Sequence, residues 1–203
     1  MFRKALPLSC VSLLLLVACI VPEKFTAEYK IQPNGSYSLI YEGTMVNAFS
    51  RLVAWEAKEK KKAQDAKAEK QIQVFRDALK DDPRTKNFKE ESTDVYRVRV
   101  EESGNLKEKQ FLPFFSKGTQ VWSLQYDKKA NTVTFNIKPM QDKNFSKMEA
   151  LNISPDGEIK ISTDCKIVSS NVNLDKSFFG NTHSFHVKKE SLKKGVSIIL
   201  QLE

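Results

Sequence analysis

Histidine, cysteine and the usual catalytic signatures are scarce in this sequence, and each scarcity removes a class of function. Two histidines occur in 203 residues, His183 and His186. They stand three apart in a segment that alternates like a strand, so they point to opposite faces, which argues for surface or edge histidines over a metal shared between them. No nucleophile elbow, phosphate-binding loop, dinucleotide fingerprint or cysteine-rich metal spacing is present. Ser191 to Lys194 formally matches the S-x-x-K spacing of penicillin-recognising enzymes, yet it lacks the companion motifs and lies between two strands. Carboxylates are plentiful, and none is selected by position. No catalytic residue, metal or cofactor is expected, and the chain is not expected to be an enzyme.

Long apolar runs are also missing. Ala5 to Val21 carries no charge, but its 17 residues lie at the lower limit for crossing a bilayer of roughly 30 Å, and Pro7, Ser9 and Ser12 weaken it further as a spanning helix. Thirty-three basic side chains against 25 acidic ones give a net charge of +8, interspersed along the chain. Without a stripe of arginine alternating with aromatics, nucleic acid is not an expected partner. A mild positive excess suits an anionic lipid surface better.

The N-terminus carries the most specific signal. Phe2-Arg3-Lys4 is a short basic start, and the apolar run after it reaches Leu16-Val17-Ala18-Cys19. A basic start, an apolar stretch and small residues before a cut describe a secretory signal better than a spanning helix. Leu-Val-Ala-Cys resembles the lipobox of bacterial lipoproteins. That resemblance implies that the Cys19 thiol is acylated with diacylglycerol and the chain cut before it; an uncleaved anchor helix is the alternative. Residues 1–18 are then a signal peptide, and 19–203 a single periplasm-facing domain of 185 residues with net charge +6. Cys10 leaves with the signal and Cys19 is acylated, so Cys165 has no partner for an intrachain disulfide. Such a thiol is commonly buried and inert, with an intermolecular or reactive role as the alternative. Ile20 to Lys24 separate Cys19 from an expected first strand at Phe25, a reach of about 17 Å when extended.

Beyond the anchor, residues 24–32 and 36–46 alternate around Pro33-Asn34-Gly35, a strong hairpin signal. Residues 153–162 nearly copy 31–40 through shared Pro-Asx-Gly turn chemistry. Residues 47–80 contain no Gly or Pro, are rich in Ala, Lys, Glu and Gln, and stop at Asp81-Asp82-Pro83, which predicts one long helix capped by Asn47. Its apolar residues form two clusters about 130° apart around the axis: Phe49, Leu52, Val53 and Trp55, then Ala68, Ile72, Phe75 and Leu79. Such a helix either bends between 58 and 67, or docks by its ends with a lysine-rich centre in water. Segments 94–102, 119–127, 131–139, 158–171, 182–189 and 195–203 read as strands. The expected class is α+β, an antiparallel β-sheet with one long α-helix inserted after the first β-hairpin.

Residues 110–118 concentrate apolar area where Pro113 and Gly118 mark a loop or strand edge. Phe111, Leu112, Phe114 and Phe115 are the candidate membrane or partner contact, rimmed by Lys107, Lys109 and Lys117; core filling under the helix is the alternative. Lys176 to Asn181, with Phe178 and Phe179, poses the same choice on a smaller scale.

With its leading Cys19, its Pro22-x-Lys24-Phe25 entry and a hairpin reaching Tyr41-x-Gly43, the segment 19–46 resembles the start of a group of uncharacterised proteobacterial lipoproteins. Residues 157–171 and 180–187 resemble the late strands of LppM-like envelope lipoproteins. There a strand ends in Asn, the next follows a short Gly-containing loop, and an aromatic stands at the place of Phe185. These resemblances imply a membrane-tethered α+β domain and bring no catalytic residues. The expected function is a non-catalytic binding or scaffold role at the periplasmic membrane surface; a lipid- or acyl-chain-binding module is the second reading and a hydrolase the third. Expected partners are the membrane, through the anchor, and a protein or lipid. Ile20 and Val21 follow Cys19 without the aspartate that resembles an inner-membrane retention signal, which points to the outer membrane of a Gram-negative envelope.

Overall fold

A computed structural model describes residues 20–60, 66–114, 121–178 and 180–203. The expected signal peptide 1–18, Cys19, the centre of the predicted helix at 61–65, and Phe115 lie outside the described residues. The chain opens with β1 (Ile20–Ile31) and β2 (Ser36–Asn47). Pro33 presets the first turn position, Gly35 takes φ of +87°, and the Ser36 amide donates to Asn34 Oδ1 at 2.9 Å. This local chemistry brings Ile31 opposite Tyr37.

The expected spacer before Phe25 is itself strand. Ile20 pairs with Asn47 and Val21 with Val46, and both β1 side chains are buried. Their apolar character recruits them into the ladder. The register shifts between Pro22 and Phe25, a bulge of the kind where a strand tolerates proline.

After the hairpin come α1 (Ala48–Lys60), α2 (Ala66–Lys80), β3 (Thr85–Glu90), β4 (Val95–Asn105) and α3 (Leu106–Lys109). Then follow β5 (Phe111–Pro113), β6 (Trp122–Asp127), β7 (Thr132–Ile137), α4 (Asp142–Ala150), β8 (Asp156–Thr163) and β9 (Lys166–Ser170). The chain closes with β10 (Asp175–Lys176), β11 (Thr182–Val187), α5 (Lys189–Lys194) and β12 (Val196–Gln201).

The class is α+β, but the strands form two sheets. One runs β10-β11-β8-β1-β2-β4-β3, the other β5-β6-β7-β12-β9. The expected purely antiparallel sheet is corrected at the centre of the first, where β1 and β8 pair in parallel from Lys24↔Asp156 to Ile31↔Thr163. The long excursion through the second sheet and α4 returns the chain in the direction a parallel pair requires. The single strand expected over 158–171 divides, with β8 in the first sheet and β9 in the second. Between them Thr163 Oγ1 accepts from the Cys165 amide at 3.0 Å, a local turn that diverts the backbone from the ladder. Pro155-Asp156-Gly157 makes no hairpin either. Gly157 lies within β8 opposite Phe25, whose ring occupies the space a Cβ would need.

The core is an aromatic layer between the sheets. Trp122 stacks on Phe25 with centroids 5.2 Å apart and on Phe114 at 4.1 Å, while Tyr29 and Phe185 meet Phe135 edge-on at 5.6 and 5.8 Å. Inside this layer Trp122 Nε1 donates to the Tyr29 hydroxyl at 2.7 Å, so neither polar atom is stranded. Burial pushes the Tyr29 and Tyr41 phenols far above their ordinary pKa, and they stay neutral.

In place of one helix over 47–80 the described residues hold two, α1 and α2, in contact with each other. A straight continuous helix excludes that contact, since residues six apart are separated by about 9 Å along its axis. The physical reason is the pair of apolar stripes about 130° apart, which one straight helix cannot bury on one surface. Even so, among the described residues the buried side chains of the two helices are Ala48, Ser50 and Leu79. The pair flanks the sheets without filling the layer between them.

Candidate functional site

The candidate contact residues divide. Leu112 and Phe114 are buried, Phe111 is half-buried, and Phe115 lies outside the described residues. The contact expectation is corrected for Leu112 and Phe114, because β5 pairs with β6 at Leu112↔Leu124 and Pro113↔Ser123. The Phe114 amide then donates to the Trp122 carbonyl at 3.0 Å, which lays its ring against Trp122 and, at 4.9 Å, against Tyr41. Pro113 marks an edge strand as expected, yet the apolar side chains around it close the core.

Cys19 is undescribed, but Ile20 fixes where the chain enters. Its partner Asn47 caps α1, with Oδ1 accepting from the Ser50 amide at 3.0 Å. Nδ2 of Asn47 is buried, and the Asn47 side chain lies beside the Tyr96 hydroxyl. Ser50 Oγ donates to the Thr93 carbonyl at 2.9 Å. Arg51 Nε donates to Asp94 Oδ2 at 2.6 Å, and its Nη1 lies 3.7 Å from Glu23 and donates to the Asn152 carbonyl at 3.4 Å. Burial alone would raise the Asp94 carboxyl, but hydrogen bonds from Ser92 and Arg51 outweigh it and hold the group below the ordinary carboxylate range. The first turn of α1 is therefore tied to β1, to the turn before β4 and to the segment before β8, all at the Ile20 end of the first sheet.

Past that first turn the helices are held more loosely. Trp55 is 45% exposed and Val74 60% exposed. Arg76 lies 3.7 Å from Glu90, which is level, strand by strand, with Tyr96, Met45 and Pro22. The Leu79 carbonyl accepts from Thr85 Oγ1 at 2.8 Å, farther along β3. So α2 runs inward along β3, and its N-terminal turns lie on the Ile20 side.

Other polar groups serve the fold. Glu102, its side chain 8% exposed, accepts from Lys109 Nζ at 2.7 Å, Arg84 Nη1 at 3.0 Å and the Tyr37 hydroxyl at 3.0 Å. Asp82 holds the other side of Arg84 at 2.6 Å, which balances the charges and ties β2, β4, α3 and the turn before β3 together. A cleft of about 240 Å³ is lined by Asp164, Cys165, Lys176, Asn181 and His183 among others. Asn181 Nδ2 donates to Asp164 at 2.6 Å, the buried Cys165 Sγ sits 4.0 Å from the Ile31 carbonyl, and no hydrogen bond joins the thiol to His183 among the described residues. Burial, with Lys176 nearby, lowers the His183 pKa, so its ring is neutral at pH 7. Ser191 Oγ accepts from the Lys188 amide at 3.2 Å and donates to the His186 carbonyl at 3.3 Å, so the S-x-x-K serine acts as a helix cap. Among the described residues no three His, Cys, Asp or Glu are grouped to hold a metal ion, and no helix is long and apolar enough to cross a membrane.

No protein-family model and no curated protein matches this chain. Among solved structures it is similar to the folded domain of LppM from Mycobacterium tuberculosis, determined by NMR. The match has 10% identity and a TM-score of 0.43, and spans 99% of this chain and 96% of that one. The likeness is too distant to assign the chain to a family.

Proposed function

We propose that this chain is a lipid-anchored protein of the bacterial envelope that works at the periplasmic membrane surface as a non-catalytic binding or scaffold protein. The observation that carries the reading is that Ile20 and Val21, directly after the lipobox-like cysteine, are already strand and buried. A lipid on Cys19 would therefore hold the first sheet close to the bilayer. The acyl-chain reading would hold its ligand between helix and sheet; the space between the two sheets is filled by Trp122, Phe25, Phe114, Tyr29 and Phe135, and α1 and α2 lie outside it. Metabolic labelling with a palmitate analogue tests the anchor: the wild-type chain takes up label, and Cys19→Ala abolishes both uptake and signal cleavage. Label retained by Cys19→Ala would sink the reading.

A further inference from the structure

We infer that the α1–α2 pair is a second membrane contact, docking its outward apolar and lysine-bearing faces onto an anionic lipid surface beside the anchor. This rests on the anchor reading above and adds the orientation of the domain. The first support is position. The uncharged run of residues 5–21 leads into Ile20, whose strand partner Asn47 caps α1. Whether that run is cut at Cys19 or kept, the membrane lies at the foot of α1.

The second support is unspent apolar surface. At 100° per residue Val74 stands opposite Ala68, Ile72 and Leu79, the side of α2 that faces the fold. It is 60% exposed, and Lys70 is its neighbour one turn back. On α1, Trp55 is 45% exposed with Lys58 three residues on, on the same face. Aromatic and aliphatic residues flanked by lysines are the composition of helices that lie in a bilayer interface. The third support is charge. Over the residues of α1 and α2 the sequence carries seven basic and four acidic side chains, a net +3. Lysines near an anionic leaflet add to attachment that a single lipid secures poorly.

Tryptophan fluorescence reads the contact directly, because the chain has two tryptophans and Trp122 is buried in the core. The full-length lipidated chain is reconstituted into vesicles of phosphatidylcholine brominated on its acyl chains, with or without phosphatidylglycerol. The Trp55 share of the emission is expected to be quenched in the anionic vesicles, to be missing in Trp55→Phe, and to return in the Lys58→Glu/Lys70→Glu chain at unchanged thermal stability. Trp55 emission untouched by bromine in a chain that floats with the vesicles overturns the contact and leaves the anchor standing. Quenching that is equal without phosphatidylglycerol, or insensitive to the charge reversals, also overturns it, as does Trp55 shielded by a second protein and not by lipid. A chain without lipid on Cys19 defeats the anchor reading instead, and quenching of that chain by added anionic vesicles would still uphold the helix contact.

Discussion

The Phe111–Phe114 segment and the α1–α2 pair carry the same ingredients, aromatic and aliphatic residues set among lysines, and the fold treats them oppositely. Leu112 and Phe114 vanish into the intersheet layer, whereas Trp55 and Val74 remain in solvent. The difference is one of backbone context. A three-residue strand hydrogen-bonded to β6 delivers its side chains straight into a layer already lined by Trp122 and Tyr41. Two helices with diverging apolar stripes cannot present all of that surface to one face, so part of it is left outside. Apolar composition alone does not say which region meets a partner.

That contrast can be broken most severely from the buried side. Phe114→Ala should cost about 3–5 kcal/mol by loss of aromatic packing and the cavity left behind, read as a lower urea midpoint. A cost comparable to that of a surface change would mean that the segment is not core. Next in size is Glu102→Gln, about 2 kcal/mol at neutral pH, because it weakens charge-assisted bonds to Lys109 and Arg84. Burial favours the neutral acid, but those donors and Tyr37 lower the Glu102 pKa in the folded protein. Its stabilisation is therefore complete above the unfolded value of about 4.3 and is lost as pH falls through the lower folded value. Urea titrations at several pH values should find that acid-side slope reduced in Glu102→Gln; an unchanged slope would remove Glu102 from the account.

On the helical side effects should be smaller. Asn47→Ala removes the cap of α1 and should cost about 1 kcal/mol in the same assay, with the sheets intact. Smallest of all, Trp55→Ser should shift stability by no more than about 0.5 kcal/mol, since the side chain is nearly half exposed. A large loss there would place Trp55 in the core and erase the distinction between the two regions.

Features set by short-range chemistry were legible from residues alone. Pro33-Asn34-Gly35 makes the first hairpin because Pro presets φ, Asn34 accepts from the Ser36 amide and Gly35 takes positive φ. Asn47 starts the helical stretch and Asp81-Asp82-Pro83 follows its end for equally local reasons. At Leu112 and Phe114 the contact reading yields to its core-filling alternative, and an exposed loop and a core-closing edge strand have the same composition. No sequence signal separates them. For the helices the diverging stripes did carry a signal, and a bend was one of the two outcomes they allowed.

Sequence by itself determined much of the strand alternation, the first hairpin's turn residues, the outer limits of the helical stretch after it and an N-terminal segment that ends in a lipobox-like cysteine. All of these follow from dihedral preferences, hydrophobic period and charge within a few residues. Only the tertiary structure decided that β1 lies parallel to β8, that 158–171 is shared between two sheets, and that Phe25 lies between Gly43 and Gly157 with its ring against Trp122. Those outcomes depend on which distant segments bury one another, and burial is a property of the whole packed chain.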